Sequence, residues 1–189
     1  MTAALDSVKL RVSAPIECAP LGRGFYQREE ELLYVHIGHS PDHVRFFSQL
    51  ESPTVRLDID REGRLIFIEV AVPKQRWQVD PEFSVPPVIP FADVRWLNFR
   101  SEIRPPEIYT DTNRSRLCLV FSDNESGRKF HLADSIIIHV TDQNTLGRIW
   151  ITDITDDSAG HRLATFRRSL RIPEATQIGS SLFKRQPAL

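Results

Sequence analysis

Cysteine is scarce. Cys18 and Cys118 are the two thiols in 189 residues, and they form no CxxC pair. That density excludes a disulfide scaffold, so both are expected as free thiols in a reducing cytosol. No run approaches the roughly 18 apolar residues of a membrane span. Met1 to Leu10 holds no basic segment followed by an apolar run, so a signal peptide is not expected and the expected location is cytoplasmic. Net charge is nearly absent at -1, which excludes a general attraction of the whole chain to polyanions. Lysine is rare: Lys9, Lys74, Lys129 and Lys184 stand against a large majority of arginine, a bias that a GC-rich bacterial genome explains without any function. Catalytic signatures are missing too. There is no G-x-S-x-G, and Gly22-Arg-Gly24 lacks the third glycine and the preceding strand of a dinucleotide motif.

What is present is an ordinary globular composition, 41% hydrophobic and 26% charged, in a length that fits one domain or two small ones. Apolar alternation with a period of two predicts strands at 7–13, 33–37 and 55–59. Arg64 to Val72 is apolar on both faces, as a central strand covered on both sides must be. Asp60-Arg61-Glu62-Gly63 supplies the turn between the last two of these strands. Pro15, Pro20, Gly22 and Gly24 predict a loop over 14–24, and Pro81, Pro86, Pro87 and Pro90 an extended connector over 79–91. Further strands are expected at 94–99, 117–121, 136–140 and 148–154.

Two helices are predicted. Ser40-Pro41-Asp42 is a helix start, and Val44, Phe47 and Leu50 follow near helical spacing, which gives a helix over 41–50. Leu163, Phe166 and Leu170 give another over about 158–171, ended before Pro173.

The second half repeats the grammar of the first. Val55-Arg-Leu-Asp-Ile59, then Gly63-Arg64-Leu65, is echoed by Ile136-Ile-Ile-His-Val140, then Gly147-Arg148-Ile149, and Tyr26 is echoed by Tyr109. The expected fold is therefore α+β, predominantly antiparallel β, built from two diverged copies of a strand-turn-strand module with one or two short helices. The expected boundaries are 1–86 for the first β-rich module with its N-terminal strand, 87–173 for the second, and 174–189 for a C-terminal tail.

Residues 26–72 resemble the YuzE-like bacterial family. The resemblance is carried by Leu33-Tyr34-Val35-His36-Ile37 and by Val55 to Val70 with its Asp58, Asp60, Gly63 and Arg64. Residues 109–154 resemble it more weakly. Gln27 follows Tyr26 where the family favours Asp, His139 stands where the module has its first Asp, and three residues are inserted before Gly147. The resemblance implies small β-rich modules and no known chemistry.

Three features carry candidate chemistry. His36, His39 and His43 fall within eight residues, and Asp58 or Asp42 could complete a shell for a divalent transition metal. The plainer reading is a set of solvated polar residues around a strand-helix corner. Asp58 and Asp60 share one face of a strand, which suits acid-base or cation chemistry. The plainer reading has Asp58 facing solvent beside Arg56 and Asp60 bonding its own turn. Residues 161–189 sum to +5, which leaves -6 for 1–160. Arg167, Arg168 and Arg171 there could meet nucleic-acid phosphate, or could simply suit the negative end of a helix. Cys118 is expected as a structural thiol, and Trp150, opposite the faces of Ile149 and Ile151, as the tryptophan that meets a partner sheet.

The favoured reading is a non-catalytic binding or assembly module that self-associates or meets a protein partner, with a homodimer expected. A metal-dependent enzyme or metal-binding protein using His36, His39 and His43, and a nucleic-acid-associated protein using the C-terminal arginines, are its rivals.

Overall fold

A computed structural model describes residues 5–15, 19–38, 46–87, 89–157 and 160–161. Fifteen strands run through it. They are β1 (Leu10–Pro15), β2 (Leu21–Gln27), β3 (Leu32–Gly38), β4 (Ser48–Glu51), β5 (Val55–Ile59), β6 (Leu65–Val70), β7 (Gln78–Val79), β8 (Ala92–Trp96), β9 (Ser101–Glu102), β10 (Glu107–Thr110), β11 (Leu117–Val120), β12 (Gly127–Ala133), β13 (Ile136–Thr141), β14 (Leu146–Ile151) and β15 (Ile154–Asp156). The protein is thus β-rich and mainly antiparallel, as the alternation predicts. Within the described part of 5–157 the one helical element is a 3-10 turn, Lys74–Arg76. No helix among the described residues is long and apolar enough to cross a membrane.

Both large sheets have the same order of strands. One runs β15-β2-β3-β6-β5-β4-β9 and the other β7-β10-β11-β14-β13-β12. After the edge strand, the first counts off β2-β3-β6-β5-β4 and the second β10-β11-β14-β13-β12. Each edge strand comes from the opposite half of the chain. β7, which follows β6, pairs parallel with β10, and β15, which follows β14, pairs parallel with β2. β1 and β8 form a separate antiparallel pair with Leu10 opposite Trp96. The Leu10 N–H donates to the Asn144 carbonyl and the Trp96 N–H to the Gly63 carbonyl, so each strand of the pair is tied to the hairpin turn of one sheet. The inner faces of both sheets close on one continuous apolar core that includes Leu33, Ile68, Leu117 and Ile149, all fully buried. Burial of that area is the main stabilising contribution to the fold.

Three expectations need correction. The helix over 41–50 fails at its C-terminal end, because Ser48–Glu51 is a strand with Leu50 facing Leu57. Phe47 and Leu50 fit helical spacing, but Ser48 and Leu50 also fit alternation, and pairing with β5 decides between them. Residues 41–45 of that helix, and 158–171 of the second apart from 160–161, lie outside the described residues. The loop over 14–24 fails at Gly22 and Gly24, which are inside β2. A Cβ on Gly22 would stand 2.8 Å from Ile136 Cγ1, so glycine here lets β2 approach β13 rather than turn.

The third correction concerns the hairpin turns. The place of Gly63 is taken in the second hairpin by Asn144 and not by Gly147, which lies within β14. Ile59 faces Leu65 and Val140 faces Leu146, so both turns have five residues and nothing is inserted. Both are closed the same way. The Gly63 N–H donates to the Asp60 carbonyl and the Asn144 N–H to the Thr141 carbonyl. Asp60 Oδ1 accepts from the Arg64 N–H, and Thr141 Oγ1 from the Thr145 N–H. Gly63 and Asn144 are both left-handed, at φ 79° and 55°.

Candidate binding groove

Register alone determines which side chains share the outer face of each sheet. On the seven-stranded sheet, Phe25, Tyr34, Glu69, Arg56 and Glu51 form one rung, and Arg23, His36, Phe67, Asp58 and Gln49 the next. On the six-stranded sheet the corresponding rungs read Tyr109, Cys118, Trp150, Ile137 and His131, then Glu107, Val120, Arg148, His139 and Lys129.

The metal candidates fall on the first of these faces. His36 is half-buried on β3 and Asp58 is buried on β5, with Phe67 of β6 between them on the rung. Two strand spacings separate their backbones, about 10 Å. The Asp58 carboxylate is already occupied, because Oδ1 accepts from Arg56 Nε at 3.0 Å and Nη2 at 2.9 Å. Burial pushes the Asp58 pKa up, and Arg56 only partly offsets this. Asp58 is therefore not the solvent-facing residue that the sequence suggests, although its pairing with Arg56 is as expected. His39 and His43 lie outside the described residues, as do Arg167, Arg168 and Arg171. Among the described residues no group of three or more His, Cys, Asp or Glu side chains could hold a metal ion. Asp60 bonds its own turn, accepting from the Glu62 and Arg64 amides.

The opposite face carries the more developed cavity. Cys118, Ile137 and Trp150 form a small apolar cluster, and Phe83, Val85 and Ile89 of the proline-rich connector pack on it. Trp150 does face away from the core of Ile149 and Ile151, but what covers it is the connector and not a sheet. Between connector and sheet lies a groove of about 880 Å³, walled by residues 78–87 and floored by Tyr109, Cys118, Val120, Arg148 and Trp150.

The titratable groups in and beside this groove are set by burial and by their hydrogen bonds. Burial pushes the Cys118 thiol up to about 12, with Arg148 pulling weakly the other way, so no thiolate nucleophile is present near neutral pH. His139, between Lys129 and Arg148 on their rung, is held below the usual imidazole range, first by burial and then by Lys129 and Arg148. Its Nε2 lies 3.2 Å from the Ser126 carbonyl, which can only accept, so Nε2 carries the proton of the neutral ring. The ring sits over Gly147, where a Cβ would come within 2.3 Å of Nδ1. That contact explains the glycine in β14 which the sequence suggests as a turn residue. Tyr109 donates to Glu107 Oε2 at 2.7 Å, a bond that raises the pKa of its hydroxyl. Arg148 Nη2 donates to Glu125 at 2.8 Å. Charge around the groove is unequal: Asp80, Glu82, Glu107 and Asp123 stand against Lys129 and Arg148.

Sequence reasoning placed Cys118 and Trp150 on one side of their strands but did not assemble the groove. Its wall is a connector whose composition signals only extended chain. The one available signal was apolar: Phe83, Val85 and Ile89 punctuate the prolines as residues that need cover. No protein-family model matches this chain, and no curated protein matches it.

Proposed function

We propose that this protein is a non-catalytic binding module whose groove beneath the proline-rich connector takes an extended polypeptide segment rich in basic side chains. The observation that carries the reading is the groove itself. It is long, open and walled by backbone, its floor combines Trp150 and Tyr109, and its carboxylates outnumber its cations two to one. Aromatic faces and carboxylates together favour Lys and Arg side chains. The raised thiol pKa of Cys118 supports binding over nucleophilic catalysis.

Tryptophan fluorescence offers the test. Trp77 and Trp96 are 2% and 1% exposed in the core, while Trp150, 5% exposed, lies under the connector at the floor of the groove. A lysine- and arginine-rich peptide should shift the emission saturably, and an acidic peptide of equal length should not. Trp150→Phe should lose the signal and Glu107→Gln should weaken binding. Equal response to both peptides would sink the reading. A thermal shift with a transition metal alone, abolished in His36→Ala, would instead bring the metal-binding rival forward.

The architecture is read here as an internal duplication, which also keeps the YuzE-like resemblance as a proposal for each copy. Three observations support it: the shared strand order, the exchanged edge strands β7 and β15, and a constant register. Val55, Leu57, Ile59, Leu65, Ile68 and Val70 correspond to Ile136, Ile138, Val140, Leu146, Ile149 and Ile151, each 81 positions later. The expected self-association is tested by sedimentation: a particle of twice 21.7 kDa supports it and one of 21.7 kDa removes it.

A further inference from the structure

A second cavity, of about 400 Å³, opens beside β15 where that strand joins β2. Its lining includes Tyr26, Arg28, Lys74, Arg114 and Asp156. Asp156 sits between two cations, with Oδ2 accepting from Arg28 Nη2 at 2.7 Å and Oδ1 from Lys74 Nζ at 2.7 Å. Lys74 is also held from behind, because its backbone N–H donates to the Tyr26 hydroxyl at 2.9 Å and its Nζ lies 5.4 Å from the centre of that ring. Tyr26 in turn packs edge-on against buried Trp77. Lys74 is therefore mounted on a rigid support, while Arg28 extends from an exposed turn.

Arg114 differs from the other two. Its guanidinium makes no ion pair among the described residues, and its Nε is shut off from solvent without an acceptor. Two carboxylates near in the chain bond to other groups. Asp111 accepts from the Ser115 and Arg116 amides and from the Ser115 hydroxyl, and Glu30 accepts from the Tyr34 hydroxyl. Among the lining residues three cations stand against one carboxylate, on a stretch of chain, 1–160, that is net negative. A guanidinium without an ion-pair partner at a concave site can take an acceptor that the protein does not itself supply.

We propose that this cavity is a binding site for the phosphate group of a small phosphorylated molecule. A phosphate dianion suits a lining in which cations outnumber the carboxylate, and its oxygens suit the guanidinium forks of Arg28 and Arg114 with Lys74 as a point charge. The cavity is larger than the anion alone, which leaves room for the group the phosphate is attached to. Among the described residues the other sheet has no match for the site. At the matching register Tyr26 is replaced by Thr110, and not by the Tyr109 that the sequence suggests, and Asp156 by Val79, so no counterpart of the Asp156 carboxylate stands there.

Calorimetric titration of the full chain at constant ionic strength tests this, with inorganic phosphate and phenyl phosphate as probes and chloride as the control. Both phosphates should bind at one site per chain, and phenyl phosphate more tightly if the surrounding volume is used. Arg114→Gln, which breaks no bond among the described residues, should weaken both by about tenfold. Asp156→Asn removes the competing carboxylate and should tighten binding. Undiminished binding in Arg114→Gln, weaker binding in Asp156→Asn, or an equal response to chloride would each overturn the site. None of these outcomes depends on the peptide groove, with whose lining this cavity shares no residue.

Discussion

The two large sheets solve one backbone problem with two different surfaces. Arg56 of one occupies the rung position of Ile137 in the other, Glu69 that of Trp150, and Asp58 that of His139. Their inner faces remain alike, aliphatic on both, because both close the same core. Their outer faces differ: charged residues stand on one where Ile137 and Trp150 of the other form an apolar patch that packs against the proline-rich connector. Backbone register and the shared core constrain half of the side chains tightly and leave the outward half free, so differences in function are concentrated there.

The comparison breaks most sharply at its bulkiest residue. Trp150→Ala should cost about 3–5 kcal/mol in urea unfolding, because the connector cannot refill the space over Cys118 and Ile137. On the charged face the corresponding weakness is electrostatic. Arg56→Ala strands the buried Asp58 carboxylate and should cost about 2–3 kcal/mol. The double variant Arg56→Ala/Asp58→Ala should lose less than Arg56→Ala alone, since removing both partners leaves no uncompensated charge. A double variant that loses more would show that Asp58 is held by something other than Arg56.

Gly63→Ala should come next, at about 2 kcal/mol. Its φ of 79° is left-handed, and a Cβ there would lie 2.5 Å from the Trp96 carbonyl oxygen, backbone that is fixed by its own pairing to β1. Near-native unfolding in this variant would mean that the β1–β8 pair is looser than its bonds to the turn suggest.

The strand pattern was legible in the sequence wherever one face meets the core. Val55–Ile59 is legible to the residue, and the stretch Arg64 to Val72, apolar on both faces, contains the fully buried strand Leu65–Val70, because burial on one or both sides leaves a direct mark on residue type. β12 was missed because Gly127, Arg128 and Lys129 are exposed and show no alternation at the start of the strand. β7, β9 and β15 were missed because strands of two or three residues have no period to detect. Gly147 misled because glycine marks both turns and close approaches, and only the position of the His139 ring distinguishes the two. The groove and the phosphate cavity were beyond reach for a common reason: each joins residues from distant parts of the chain through exchanged or connecting segments.

Titration sharpens the contrast at one equivalent position. Burial disfavours charge on both Asp58 and His139, so it raises the first pKa and lowers the second. For Asp58 the folded pKa lies above the unfolded value of about 4. Its contribution is full below that pH and is lost as pH rises through the folded pKa. For His139 the folded pKa lies below the unfolded value of about 6.5. Its contribution is full above that pH and is lost as pH falls through the folded pKa. Urea unfolding across pH 3–8 should therefore show Asp58→Asn removing a loss on the way up from about pH 4, and His139→Gln removing a loss on the way down from about pH 6.5. Matching slopes in the two variants would mean that the two positions share an environment, against the difference between the faces.

The smallest effect is expected where the two hairpins agree best. Asn144 occupies the place of Gly63, closes the same turn and is also left-handed, at φ 55°. Asparagine is the side chain that tolerates this region at least cost, and no side-chain bond of Asn144 holds the turn. The closing bond belongs to Thr141. Asn144→Gly should therefore change stability by no more than about 0.5 kcal/mol, since glycine relieves the small left-handed penalty while adding freedom to the unfolded chain. Set against Gly63→Ala, this makes the two turns equal in backbone but unequal in tolerance. The inequality comes from the strand docked behind each, because the Trp96 carbonyl crowds one turn and nothing comparable need give way at the other. A loss above 1 kcal/mol in Asn144→Gly would show that the Asn144 side chain has a role of its own, and that the two turns agree in bonding pattern but not in what stabilises them.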